Sequence, residues 1–206
     1  MLDVALVGGT VIDGTGRPRH VADVGIRDGR VVQVVEPGRL DESPARTIDA
    51  SGLVVAPGVV DIHTHYDAQL FWDPTASPSC FHGVTTVIGG NCGFTVAPSR
   101  PDDGEYLMRL LARVEGMPLA ALQEGLPWDW TSFGDWLGRL DGRTAVNAGF
   151  LCGHSAVRRS VMGPDAVGSG ATPAQIAAMG ETLRAALRAG ALGLSSSQAP
   201  THNDGD

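Results

Sequence analysis

Residues 56–65 read Ala-Pro-Gly-Val-Val-Asp-Ile-His-Thr-His, and the strongest evidence for the fold class lies in this stretch. The short, mostly apolar run at 59–62 is typical of a buried strand. His63 and His65 follow it, and alternate side chains of an extended chain share one face. Two neutral imidazoles on one face can chelate a divalent metal ion. A histidine pair in a surface turn is the alternative, but the strand in front of the pair favours metal ligation.

The combination of an apolar run and a polar or glycine-rich end recurs three times downstream. The runs are 84–88, 145–151 and 191–194, and helical patterns at 105–122 and 130–140 lie between them. The clearest helix begins at Thr172-Pro173-Ala174-Gln175, a capping box with proline at the first helical position, and ends near Gly190. Short strands that alternate with helices predict parallel βα units, whose functional residues lie at the carboxyl ends of the strands.

These units predict an α/β fold in which residues 57–206 form about the first four βα units of an incomplete (β/α)8, TIM-type barrel. A whole barrel takes about 250 residues, so we expect this domain to be truncated. Residues 1–56 instead show about five short strands with glycine-containing turns. Gly8-Gly9 and Asp28-Gly29 each separate two apolar runs, which predicts two β-hairpins. We therefore expect a small all-β domain at 1–56 ahead of the barrel portion at 57–206.

Cys92 is the third candidate metal ligand. It lies in the segment Gly89-Gly90-Asn91-Cys92-Gly93, directly after the second predicted barrel strand and beside the end of the first. A thiolate is a strong zinc ligand, although a buried structural cysteine is the commoner role for this residue type. The neighbouring histidine pair favours ligation. We predict that His63, His65 and Cys92 hold one or two divalent metal ions, with Zn²⁺ as the expected metal.

Other polar side chains near the strand ends are candidates for supporting roles. Asp61 either orients an imidazole or is a polar residue at the strand end. Asp67 lies past the end of the same strand, where it either faces a substrate or is a solvated loop carboxylate. His154 follows the third strand in Cys152-Gly153-His154, and either binds substrate or has a structural role. We retain Asp67 and His154 as candidate substrate-binding residues.

The composition excludes several classes of function. The 206-residue chain has a net charge of −8, which argues against nucleic acid and anionic membranes as partners, since both require basic surfaces. No apolar run reaches the roughly 18 residues of a membrane span, and no signal-like basic segment begins the chain. Three widely spaced cysteines without a CxxC motif predict no disulfide framework, so a cytoplasmic location is expected.

The sequence at 56–65 resembles the first-strand signature of the amidohydrolase superfamily, and Gly90-Asn91-Cys92-Gly93 resembles its D-aminoacylase (N-acyl-D-amino-acid deacylase) branch. In that branch a cysteine takes the place of a carboxylated lysine, and all 15 basic residues of this chain are arginines. Gly153-His154 and Gly190–Ser195 resemble further motifs of the branch. The N-terminal strands are similar to the first part of the family's small β-sandwich domain.

The resemblance implies an enzyme that hydrolyses a non-peptide C–N bond with a zinc-activated water. It implies a small N-acyl-D-amino acid or related amide as substrate. It also implies a catalytic aspartate and two further histidines beyond Asp206, so that residues 1–206 alone are expected to be inactive. A hydantoinase- or dihydroorotase-like amidohydrolase and a non-catalytic fragment are the alternatives.

Overall fold

The first compact unit of the chain, Met1–Gly58, is built on one five-stranded sheet. Its strands are β1 (Leu2–Val11), β2 (His20–Arg27), β3 (Arg30–Val35), β4 (Pro44–Asp49) and β5 (Val54–Val55). Strands β1, β2 and β3 pair antiparallel, whereas β4 and β5 both run parallel to β1. The predicted set of about five strands and the predicted hairpin at Asp28-Gly29 are therefore confirmed.

The predicted hairpin at Gly8-Gly9 is wrong, because β1 continues through both glycines as one strand. The pairing of β1 with β2 shifts register between Leu6 and Gly9, and Gly8 has a φ of 71°, as in a glycine β-bulge. The Gly8 amide donates to Asp23 Oδ1 at 2.8 Å. A Cβ on Gly9 would lie 2.6 Å from Val55. The two glycines therefore kink the strand and make room for β5 rather than reverse the chain.

The second unit begins at Val59 and is a mixed α/β structure with open sheets. The computed structural model describes residues 1–198. Within these, the second unit has strands β6 (Val59–Asp61), β7 (Val84–Gly89), β8 (Asn147–Phe150), β9 (Cys152–Gly153) and β10 (Leu194–Ser195), and helices α1 (Gly104–Glu115), α2 (Leu119–Gly125), α3 (Phe133–Leu140), α4 (His154–Met162) and α5 (Pro173–Arg188).

Four parallel segments lie side by side in chain order in this unit. Strands β6, β7 and β8 form one parallel sheet, and β9 pairs parallel with β10. The two sheets meet at Leu151, which separates β8 from β9 and whose amide donates to the Gly89 carbonyl at 3.0 Å. The Leu192 amide donates to the Phe150 carbonyl at 2.8 Å, which brings the segment after α5 beside β8.

The predicted helices at 105–122, at 130–140 and after Thr172 are confirmed, although the first is divided into α1 and α2 at Gly116, whose φ is 66°. The nine-residue helix α4 was not predicted, because it follows β9 directly and no side chain caps its N-terminus. The fourth strand, expected at 191–194, is only two residues long, at Leu194–Ser195. Residues 199–206, where the sequence after the fourth strand is polar, lie outside the described residues. No described helix is long and apolar enough to cross a membrane.

The run at 59–62 is not the buried strand that its apolar residues predict. Val59 and Val60 are 54% and 53% exposed, because β6 pairs only with β7 among the described residues and is an edge strand there. The core lies instead against β7 and β8. Trp136 of α3 and Phe150 of β8 are almost fully buried, and their rings pack edge to face with centroids 4.6 Å apart.

Candidate metal centre

His63, His65 and Cys92 converge at the carboxyl ends of β6 and β7. One potential donor atom from each residue lies within 4.8 Å of the other two. The His63 Nε2 atom is 3.2 Å from the Cys92 Sγ atom, and the two imidazole centroids are 5.5 Å apart. The cluster offers two nitrogen donors and one sulfur donor, which is a donor set that Zn²⁺ commonly takes in proteins. The arrangement of side chains therefore fits a zinc ion.

Thr64 fixes the middle of the histidine motif to the neighbouring strand. The Thr64 amide and hydroxyl both donate to the Ile88 carbonyl at 2.9 Å, and the side chain is buried. Because side chains alternate, burial of Thr64 leaves the two imidazoles on the other side of the chain. Asp61 accepts a hydrogen bond from the His63 amide at 3.2 Å. Asp61 thus holds the backbone of the motif, and its contact is with the amide of His63 rather than with the ring.

Cys92 has an uncommon backbone conformation, with a φ of 55° in the left-handed region. Gly90 and Gly93 on either side also have positive φ, of 71° and 84°. A Cβ on Gly90 would lie only 2.0 Å from the Leu151 carbonyl oxygen. The glycines therefore allow a tight turn against the next strand, and this turn brings the Cys92 thiol to His63.

Two serines from the segment after α5 hold this turn in place. The Ser195 hydroxyl accepts from the Gly93 amide at 3.0 Å and donates to the Gly90 carbonyl. The Ser197 hydroxyl donates to the Cys92 carbonyl at 2.6 Å. Ser195 is buried, so water does not compete for its hydrogen bonds. The sequence analysis missed this role: the resemblance of Gly190–Ser195 to a family motif drew attention to the segment, but not to hydrogen bonds between its serines and the Cys92 turn.

Glu115 is a charged member of the site that the sequence analysis missed. Its Oε1 atom is 3.5 Å from His65 Nδ1, and the side chains of Glu115 and His65 are only 20% and 17% exposed. Burial raises the pKa of the Glu115 carboxyl, against the opposing effect of the charge on His63. Burial, and then the nearby Glu115 charge, raise the pKa of the Cys92 thiol. An open cleft of about 290 Å³ lies beside the histidine pair and Glu115, and its lining residues are Asp61, His63, Thr64, His65, Tyr66, Gln69, Ser79, Glu115 and Met117.

Asp67 and His154, the two candidate substrate-binding residues, lie outside the donor cluster. Asp67 is 2% exposed, and accepts a hydrogen bond from the Gly90 amide at 3.1 Å. Burial raises the pKa of this carboxyl to about 7. Asp67 thus supports the Cys92 turn from the interior, so that of its two predicted roles the solvated loop carboxylate is wrong. His154 is the exposed first residue of α4, with Nδ1 3.5 Å from the Ser196 hydroxyl. Contact of either residue with substrate stays a prediction.

Comparison with known proteins identifies relatives of both units. Over 195 residues the chain is 40% identical to D-aminoacylase from Alcaligenes xylosoxydans xylosoxydans, an alignment that covers 94% of this chain and 37% of that enzyme. A solved D-aminoacylase with a binuclear metal centre has a TM-score of 0.77 at 39% identity, covering 95% of this chain and 38% of that one. N-acyl-D-glutamate deacylase from Bordetella bronchiseptica, complexed with zinc and a phosphonate inhibitor, has a TM-score of 0.74 at 34% identity, with coverages of 95% and 38%.

The chain thus spans less than two fifths of the length of these relatives, while nearly all of it is matched. Residues 46–204 match the amidohydrolase family, a segment that includes the histidine pair, Cys92 and Glu115. The match covers well over half of the chain, and the mixed α/β fold agrees with it. The chain therefore belongs to the amidohydrolase family.

Proposed function

We propose that this chain is the metal-binding N-terminal portion of a zinc-dependent amidohydrolase that deacylates N-acyl-D-amino acids. The observation that carries the proposal is the convergence of His63, His65 and Cys92 within 4.8 Å at the ends of adjacent parallel strands. The similarity to a metal-containing D-aminoacylase and to a zinc-bound N-acyl-D-glutamate deacylase supports both the metal and the substrate class.

The proposal includes the barrel architecture. Four parallel segments in chain order, with α-helices between the second and third and between the third and fourth, are the arrangement expected of the first half of a (β/α)8 barrel. The candidate donors lie at the carboxyl ends of the first two segments, where barrel enzymes carry their active sites. In this proposal the five-stranded unit at the N-terminus is part of the family's small β-sandwich domain.

Each residue of the cluster has a defined task in this proposal. His63 and His65 supply neutral imidazole nitrogens, and Cys92 supplies a thiolate. Because burial raises the pKa of the Cys92 thiol, the metal-free protein holds the proton on sulfur, and loading the site releases it. A bound zinc ion lowers the pKa of a water molecule and polarises the amide carbonyl of the substrate. The open cleft beside the histidines gives a small amide access to this point.

The metal site is tested by measuring zinc affinity and cobalt spectra of the 206-residue chain. Cys92→Ser is expected to lower zinc affinity by about 100-fold or more, and to abolish the thiolate-to-cobalt absorption band. Cys80→Ser is the matched control, because Cys80 is also a half-buried free cysteine and lies outside the cluster. Equal zinc affinity in wild type and Cys92→Ser would refute the site.

The substrate class is tested in a chimaera, because the chain spans only 37% of the D-aminoacylase that it matches. Residues 1–198 of this chain replace the matching part of the Alcaligenes enzyme. The chimaera is expected to hydrolyse N-acetyl-D-amino acids and not their L enantiomers, and to lose this activity with Cys92→Ala. A folded, zinc-loaded chimaera that hydrolyses no N-acyl-D-amino acid would contradict the proposed substrate class.

A further inference from the structure

Glu115 approaches the imidazole of His65 from outside the donor cluster. Its Oε1 atom lies 3.5 Å from Nδ1, while among the described residues the cluster of donor atoms within 4.8 Å comprises His63, His65 and Cys92. A metal-binding imidazole commonly donates its second ring N–H to a carboxylate, which fixes the tautomer and the orientation of the ring. Nδ1 is the ring nitrogen that lies within ion-pair distance of Glu115, which leaves the Nε2 atom of His65 to bind a cation.

The position of Glu115 in its helix is unfavourable without such a partner. It is the last residue of α1, followed by Gly116 in the left-handed conformation. The negative end of the helix dipole lies there and disfavours an acidic side chain. The Glu115 side chain is also four-fifths buried, and among the described residues its ion-pair partner is His65 rather than an arginine. A buried carboxylate requires a compensating charge or hydrogen-bond donor, and the histidine pair provides one.

We propose that Glu115 is a positioning residue of the metal centre, whose carboxylate accepts the Nδ1–H of His65 and directs Nε2 towards the cation shared with His63 and Cys92. This proposal rests on the proposed metal site. The contact links the C-terminal end of α1 to the carboxyl end of β6, 50 residues earlier in the chain. It orders the His65 ring before the metal arrives, so less side-chain freedom is lost on binding.

The first test is the zinc affinity of the 206-residue chain, measured by competition with a chelator. Glu115→Ala is expected to weaken binding by about 10–100-fold, as for other carboxylates that orient a metal-bound histidine. Glu115→Gln is expected to weaken binding less, since its amide can either accept the Nδ1–H or donate to Nδ1, and so holds the ring in place without selecting one tautomer. Glu124→Ala is the matched control, because Glu124 is an exposed glutamate on the next helix, and no change is expected.

The second test separates positioning from a merely structural role. The ¹⁵N NMR shifts of the His65 ring report which nitrogen carries the proton, in metal-free and in zinc-loaded protein. The wild type is expected to hold the proton on Nδ1, and Glu115→Gln to populate the other tautomer in the metal-free protein. This measurement still tests the contact if the wild type binds no zinc, in which case the proposed metal site fails on its own.

The results that would overturn the proposal are specific. One is a Glu115→Ala chain whose zinc affinity stays within about twofold of wild type and whose His65 proton remains on Nδ1. Another is a zinc X-ray absorption spectrum that loses an oxygen donor in Glu115→Gln, because Glu115 would then be a ligand. If circular dichroism shows that Glu115→Ala does not fold, Glu115→Gln and the tautomer measurement decide the question.

Discussion

Replacing Gly90 with alanine tests whether the turn that carries Cys92 depends on close backbone packing. Gly90 has a φ of 71°, and a Cβ there would lie 2.0 Å from the Leu151 carbonyl oxygen and 2.8 Å from its carbonyl carbon. Both of these are backbone atoms in the hydrogen-bonded segment between β8 and β9, so no side-chain rotation relieves the overlap. The substitution is therefore expected to move the turn or the neighbouring strand.

The size of the effect follows from two separate terms. A left-handed conformation costs an alanine about 1–2 kcal/mol. Forcing an extra carbon into a packed region adds typically about 1–3 kcal/mol. Gly90→Ala should therefore lower the free energy of unfolding by about 2–5 kcal/mol. Gly83 separates the two costs, because its φ is 80° but no described residue other than its chain neighbours lies within 4 Å of its Cβ position. Gly83→Ala should carry only the first cost, about 1–2 kcal/mol.

The assay is urea unfolding of the two variants and the wild type, followed by tryptophan fluorescence, together with zinc affinity. Gly90→Ala is expected to unfold at lower urea concentration than Gly83→Ala and to bind zinc more weakly, because a displaced turn separates the Cys92 thiol from His63. A Gly90→Ala chain that is as stable as Gly83→Ala and binds zinc with unchanged affinity would show that the Cys92 turn does not depend on this close packing.

Three further predictions concern groups around the site. Ser195→Ala removes both hydrogen bonds to the Cys92 turn and should cost about 1–3 kcal/mol in urea unfolding, whereas Ser196→Ala should change stability little. Against the effect of burial, hydrogen bonds from neighbouring side chains hold the pKa of Asp73 well below its usual range. A carboxyl whose pKa is lower in the folded than in the unfolded state stabilises the fold at pH values above its unfolded-state pKa, and this stabilisation is lost as the pH falls. The difference in melting temperature between wild type and Asp73→Asn should therefore shrink below about pH 4. Burial raises the pKa of the Cys152 thiol to about 12, so a thiol reagent should leave Cys152 unmodified in the native protein. Bound zinc should protect Cys92 from the same reagent. Peptide mass mapping that finds Cys152 labelled would contradict the first expectation.

The convergence of the three candidate donors could be predicted from local patterns. Two patterns carry this prediction: an apolar run followed by His63-Thr64-His65, and a second apolar run followed by Cys92. Because neighbouring parallel strands bring their carboxyl ends to one edge of the sheet, these two patterns place the three side chains together. The helix after Thr172 was equally predictable. Its capping box consists of residues three positions apart, and such contacts depend on nothing outside the helix.

The conformation of Gly8-Gly9 could not be predicted from neighbouring residues alone. Two glycines between apolar runs are compatible with a hairpin turn and with a bulge inside a strand. Two distant residues favour the bulge over the hairpin turn. Asp23 accepts a hydrogen bond from the Gly8 amide, and Val55 packs where a Gly9 side chain would lie. Similarly, the exposure of Val59 depends on which strands lie beside β6, and not on the residues of β6.

The sequence alone specified the candidate donor types, their order along the chain and the strand ends that present them, because each of these is encoded over a few consecutive residues. The groups that contact the candidate donors emerged only from the folded chain. Glu115 meets His65 across 50 residues, and Ser195 meets Gly93 across 102. A glutamate at the end of a helix and a serine at the end of a two-residue strand carry no local pattern that predicts these contacts, since their roles come from the partners that long-range packing places beside them.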